Sequence, residues 1–189
     1  NPTTQRLYDQ NILNVARQVH FCDKDERSVD IVLLVNGLPV VTLELKNQFT
    51  GQNVDNAKRQ YKYDRDERDL LFQFKKRALV HFAVDPDLVF MTTKLDNEGT
   101  VFLPLNKGSQ GGQGNPTNPE GYRTEYLFSE IWSRESWLDI LARFIHLQID
   151  EKREGGKIRK KETMVFPRYH QLQVVRSLIA ATRDEGAGN

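Results

Sequence analysis

Asp30, Glu44 and Lys46 are the residues of this 189-residue chain whose types and spacing could do chemistry together. Two carboxylates brought side by side repel each other, and a divalent cation relieves that repulsion. Hard oxygen ligands of this kind suit Mg²⁺. A lysine two positions after the second acid can reach a water or a phosphate beside the cation. Metal and lysine together can polarise a phosphoryl oxygen and stabilise the charge that develops on it. The competing reading is a solvated polar face with ordinary surface charges, because a bare Asp…Glu-x-Lys pattern arises often by chance.

The elements that must position these residues decide between the two. Val29–Val35 and Val40–Leu45 are apolar, β-branched runs separated by Asn36-Gly37-Leu38-Pro39, which is a hairpin signal. Side chains alternate along a strand, so Asp30 shares a face with Val32 and Leu34, and Glu44 with Thr42 and Lys46. Val29, Ile31, Leu33, Val41, Leu43 and Leu45 form the opposite, wholly apolar faces and should be core. A two-residue turn pairs Val35 with Leu38 and sets Asp30 opposite Leu43, which splits the acids between faces. A three-residue loop, Asn36-Gly37-Leu38, sets Asp30 opposite Glu44 and merges the apolar faces. Core burial therefore predicts the odd loop, a turn with a bulge in which Gly37 takes positive φ.

The segment after the hairpin, residues 55–77, reads as helical. It carries Lys58, Arg59, Lys62, Arg65 and Arg68, with Gln60, Tyr61 and Tyr63 between them. Cations interleaved with aromatics suit a nucleic-acid backbone. A helix laced with ion pairs to Asp64, Asp66, Glu67 and Asp69 is the plainer alternative.

Further along, Leu79–Val84, Leu88–Thr93 and Thr100–Leu105 read as strands, and Asn106–Gly121 as a long Gly/Asn/Pro loop. Before the hairpin, the later part of residues 6–22 reads as a strand, followed by a polar turn from Asp23 to Arg27. Thr124–Gln148 has helical periodicity, with a break and fresh N-cap at Ser133–Ser136. Residues 152–161 read as a basic linker, and a last helix opens at Phe166-Pro167-Arg168 and runs to about Arg183. Interleaved strands and helices give an α/β class with a mixed sheet. Among the histidines, His20 and His170 have no assigned role, and His81 and His146 read as core residues without metal spacing. Trp132 and Trp137 also read as core.

Bulk composition restricts the function classes. Net charge is +1, so any affinity for nucleic acid must come from local charge. The single cysteine, Cys22, allows no intramolecular disulfide and fits a reducing cytoplasm. No apolar run is long enough for a membrane span, so no membrane partner is expected. The chain opens at Asn1-Pro2 without a methionine or signal peptide and is expected to be a piece of something larger.

Asp30-x13-Glu44-Leu45-Lys46 resembles the motif of the PD-(D/E)xK nuclease superfamily. The surrounding text resembles more narrowly the N-terminal nuclease domain of the restriction (motor) subunit of type I restriction–modification enzymes. It includes Val35-Asn-Gly-Leu-Pro-Val, Gln60-Tyr-Lys-Tyr-Asp-Arg65, Val80-His-Phe-Ala-Val-Asp85, Phe90-Met-Thr-Thr-Lys94, Pro104-Leu-Asn-Lys-Gly108 and Phe144-Ile-His-Leu147. The resemblance implies a restriction-endonuclease-like mixed β-sheet flanked by helices, with a C-terminal helical extension. It implies Mg²⁺ held by Asp30, Glu44 and the Leu45 carbonyl, with Lys46 orienting the attacking water. A third acid, where the family has one, would lie upstream of residue 1. Gln60 and Tyr63 would be the Gln-x-x-x-Tyr pair of such nucleases, although here they are three positions apart, and Lys58, Arg59, Lys62 and Arg65 would face double-stranded DNA. Phe166-Pro-Arg-Tyr-His-Gln171 resembles the start of a superfamily 2 helicase motor. Arg168, Tyr169 and Gln171 would then meet ATP in the full-length protein only, because no Gly-x-x-x-x-Gly-Lys-Ser/Thr phosphate loop occurs here.

The division expected is a nuclease domain at 1–150, a linker at 151–165 and the first motor helix at 166–189. Specificity and methyltransferase subunits would be the partners. A non-catalytic DNA-clamping module with a decayed site, or a related repair nuclease, are the other readings.

Overall fold

The computed structural model describes residues 2–22, 25–154 and 157–186. The polar turn expected from Asp23 lies partly outside these. A six-stranded sheet runs in the order β1 (Leu13–His20), β2 (Ser28–Val35), β3 (Leu38–Leu45), β4 (Val80–Val84), β5 (Val89–Thr92) and β6 (Leu103–Pro104). Every neighbouring pair is antiparallel except β3–β4, which is parallel. A parallel pair needs a crossover, and helix α2 (Val54–Tyr63) with the turns after it supplies one. The sheet is therefore mixed, as the hairpin foretold.

The hairpin reaches the expected register by a different route. Asn36 (φ 51°) and Gly37 (φ 79°) are both left-handed, as a two-residue type I′ turn requires, and Val35 pairs with Leu38. Val40 is then an extra residue in β3. Leu34 pairs with Pro39 but Leu33 pairs with Val41, and Ile31 pairs with Leu43. The three-residue loop is thus corrected to a tight turn followed by a bulge. Core burial still selects the outcome, since Leu33, Val41 and Leu43 enter one cluster with Phe82, Val84 and Met91.

The other face of the hairpin is roofed as well. Val29 and Val32 pack with Tyr61, Phe72 and Leu95, and Val29 belongs to this side rather than to the Leu33 face. Thr42 is buried here, bonded to Tyr61 (2.9 Å) and His81 (2.7 Å).

Several elements are shorter than their sequence patterns suggest. Helix α2 ends at Tyr63, and residues 64–78 continue as turns. β6 keeps only two of the residues expected between Thr100 and Leu105. Thr124–Gln148 is not one helix. A π-type turn (Leu127–Ile131), α3 (Arg134–Asp139) and a second π-type turn (Ile140–Phe144) lead into strand β7 (His146–Glu154). His146 is consequently exposed, not core, while His81 and Trp137 are buried and Trp132 is half-buried. Residues 152–154 and 157–161, expected as part of a linker, belong to an antiparallel pair of β7 with β8 (Lys157–Val165). Helix α1 (Pro2–Asp9) precedes the sheet, and α4 (Tyr169–Glu185) follows β8.

Candidate active site

Parallel strands β3 and β4 end side by side, with Glu44 beside Ala83 and Leu45 beside Val84. Ligand sites in open α/β sheets form at such carboxyl ends. The hairpin register carries Asp30 to the same place. Its Oδ2 accepts from the Leu45 backbone N–H at 2.8 Å, and its Oδ1 accepts from Gln18 Nε2 at 3.1 Å. Gln18 has positive φ (49°), a local distortion of β1 directly beside Asp30.

Glu44 is fully buried. Its Oε1 accepts from Arg65 Nε (2.8 Å) and lies 2.7 Å from Arg65 Nη2. Arg65 is itself buried, donates to the Ser28 carbonyl at 2.8 Å, and lies 5.2 Å from the Phe21 ring centroid. It was expected to face DNA, and that is corrected here. The turn after α2 points it inward, where it pairs with an acid that would otherwise be an uncompensated buried charge.

Glu44 Oε2 is buried with no hydrogen-bond partner. Burial pushes the Glu44 carboxyl up to about 7; Arg65 opposes that rise and Asp30 adds to it. A carboxylate oxygen with no donor, beside a second carboxylate, has the chemistry to accept a cation. Among the described residues, no group of three or more His, Cys, Asp or Glu could hold a metal. The donors at hand are therefore Asp30, Glu44 Oε2 and the Leu45 backbone.

Lys46 directly follows strand β3. Its backbone N–H bonds the Val84 carbonyl (2.8 Å), and its Nζ donates to Gln60 Oε1 at 2.5 Å. Gln60 is one turn of α2 before Asp64, whose N–H bonds the Gln60 carbonyl. Helix α2 is anchored at its start by Asp85, which accepts from the Val54 N–H (2.8 Å) and, in its own turn, from Asp87 and Leu88. Asp85 is the acid sequence reasoning passed over as a mere motif member. It fixes α2 relative to the sheet, and hence Gln60 to Lys46.

The remaining cations of α2 are not gathered at this point. Lys58 pairs with Asp55 and lies over Phe90, Lys62 bonds the Glu98 carbonyl, and Arg59 lies over the exposed Tyr63. At the C-terminal end, the Gln171 side chain accepts from the Arg168 N–H (3.0 Å). The Tyr169 hydroxyl reaches Glu130 (3.1 Å).

Residues 4–100, just over half of the chain, match the family model of the type I restriction enzyme R protein N terminus. The chain belongs to that family. The match includes Asp30, Glu44, Lys46, Gln60 and Arg65. A relative from Methanocaldococcus jannaschii, named provisionally as a type I restriction enzyme MjaVIIIP endonuclease subunit, is 24% identical over 172 residues. That alignment takes in 89% of this chain but 15% of the relative. No solved structure matches the chain. Among the described residues no helix is long and apolar enough to cross a membrane.

Proposed function

We propose that this R-protein N-terminal domain is a Mg²⁺-dependent DNA endonuclease of PD-(D/E)xK type. The observation that carries the reading is the unpartnered, buried Glu44 Oε2 beside Asp30, on the strand that leads directly into Lys46. Asp30, Glu44 and the Leu45 carbonyl would hold the cation. It would supply positive charge to the phosphate being cut. Arg65 fixes one oxygen of Glu44 and leaves the other to bind. Gln60 holds the Lys46 ammonium at the mouth of the site, where it can orient a water and stabilise charge on the phosphate. The half-exposed Asp30 and Lys46 leave the site open to a duplex on one side.

The substrate is double-stranded DNA in this reading. Specificity and methyltransferase subunits would choose where it is bound, and the setting would be the cytoplasm. In a longer protein Arg168, Tyr169 and Gln171 would meet ATP. The test is Asp30→Ala, Glu44→Gln and Lys46→Ala in the intact restriction enzyme, with cleavage and translocation measured together. Each should abolish cleavage and spare translocation. Cleavage that survives in all three sinks the reading. The two-acid donor set favours one alternative, a DNA-clamping module without catalysis. A chain that shows no Mn²⁺ binding by calorimetry at this site supports that alternative.

A further inference from the structure

We propose that Phe49 is a wedge that enters a base-pair step of duplex DNA beside the phosphate to be cut. The inference rests on the reading that the site of Asp30, Glu44 and Lys46 faces duplex DNA.

Phe49 stands three residues after Lys46 and is 92% exposed. Among the described residues the next large apolar side chain, Val101, reaches 69%. Single apolar residues on a surface are ordinary. Phe49 differs in that a set of hydrogen bonds holds its backbone in this position. It sits in a single 3-10 turn, Gln48–Thr50. The Asn47 side chain accepts from the Phe49 N–H (3.0 Å), and the Thr50 hydroxyl donates to the Asn47 carbonyl (2.7 Å). Gly51 closes the turn at φ 71°, with its N–H bonded to the Gln48 carbonyl at 2.9 Å.

The loop that carries this turn is fastened to the end of β4 at three points. The Lys46 N–H donates to the Val84 carbonyl, the Gln48 side-chain amide to Asp87, and the Val54 N–H to Asp85. Glu44 and Leu45 lie beside the same strand end. Phe49 therefore keeps a fixed place relative to the acids. Three residues of extended chain span about 10 Å at most. Bases follow one another at about 3.4 Å along a strand of duplex DNA. The backbone of Phe49 is thus within about three base steps of a phosphate lying at Lys46.

Residues 47–53, Asn-Gln-Phe-Thr-Gly-Gln-Asn, are all exposed, and none is ionisable. A loop without carboxylates approaches a polyanion without repulsion, and its amides and hydroxyl can bond phosphates and sugars. The apolar ring among them suits the bases instead. Proteins that kink a duplex insert such side chains between base steps from the minor groove. Pyrimidine–purine steps such as TA unstack most readily, so Phe49 favours those steps within its reach. A protein partner would also cover the ring, but the open side of the site beside it is the side that the duplex must occupy.

Binding of the whole chain to a fluorescein-labelled duplex of about 20 base pairs with alternating TA sequence is followed by anisotropy. EDTA is present so that no cleavage intervenes, and the salt is varied. Phe49→Ala should weaken binding about tenfold and leave the slope of log K against log salt unchanged, because a stacking contact releases no counterion. Phe49→Trp should keep the parent affinity, and its added emission should be quenched as the duplex is titrated in. Leu178→Ala, which trims an exposed apolar side chain of α4, should bind as the parent does. All three variants alter exposed side chains, and unchanged thermal melts verify the fold. No duplex binding by the parent chain, no loss in Phe49→Ala, an equal loss in Leu178→Ala or a changed salt slope overturns the proposal. So does emission of Phe49→Trp that is indifferent to the duplex. A ring that serves a protein partner gives the outcome without loss. The cleavage reading fails separately, through Asp30, Glu44 and Lys46: an intact enzyme that never cuts, with a Phe49 that passes these tests, sinks that reading and leaves this one standing.

Discussion

Arg65 and Glu44 are each more dependent on the other than on solvent. Truncating Arg65 leaves a buried carboxylate without its cation, which typically costs about 3–5 kcal/mol. Arg65→Ala should therefore lower the urea midpoint sharply, and Arg65→Ala combined with Glu44→Gln should recover most of the loss. A double variant as unstable as Arg65→Ala alone would mean that Arg65 acts through Ser28 and Phe21 instead. Gln60 makes a weaker demand. Gln60→Ala removes one charge-assisted bond to Lys46, worth about 1.5–3 kcal/mol. The expected loss of cleavage rate is about tenfold or more, smaller than for Lys46→Ala, with binding of the duplex unchanged. Rates that fall equally for both variants would assign Gln60 a direct part in the chemistry.

The β2–β3 hairpin sets the site through its turn and its bulge. Gly37 sits at φ 79° with open space around its Cα, so a methyl group would meet no atom but would strain the backbone. Gly37→Ala should cost about 1 kcal/mol and lower the melting temperature by a few degrees, with metal binding intact. A loss of metal binding at unchanged stability would show that the turn transmits to the acids. The hairpin also shows what a sequence discloses and what it hides. The apolar alternation of Val29–Leu45 requires Asp30 and Glu44 to end together, so that relation was legible. Whether the odd residue sits in the turn or in the strand changes no side chain's face below it, and pattern alone could not separate the two. Arg65 was misplaced for a related reason. Its neighbours Asp64, Asp66 and Glu67 are the charges of a solvated surface. Only the turn after Tyr63 reveals that it points inward. The β7–β8 ribbon was hidden because charged residues weaken the strand signal, and glycines at 155–156 read equally as a linker.

For the whole molecule, two buried groups pull stability in opposite directions with pH. Burial holds His81 down to about 3, so the unfolded chain binds its proton first as pH falls below 6.5. Folded stability therefore rises with pH between about 3 and 6.5, by up to about 1.4 kcal/mol per unit. Glu44 is raised from 4.5 to about 7, so the folded state keeps a proton that the unfolded chain releases. Its contribution falls as pH rises through that window. Between pH 4.5 and 6.5 the two largely cancel in metal-free protein. Glu44→Gln removes the second group and should expose the rise due to His81, read from urea midpoints at pH 5, 6 and 7. A parent chain with the same slope as the variant would show that Glu44 is ionised throughout.

The bond between the Leu45 amide and Asp30 Oδ2 has a spectroscopic consequence. That proton sits between the two acids' strands and points at one of them. Its resonance in a nitrogen–proton correlation spectrum should move downfield relative to an ordinary strand amide, and its exchange with deuterium should be slow. A cation drawing charge from Asp30 weakens the bond, so the resonance should shift back upfield on titration with Mg²⁺. One peak would then report on occupancy of the site without any cleavage assay.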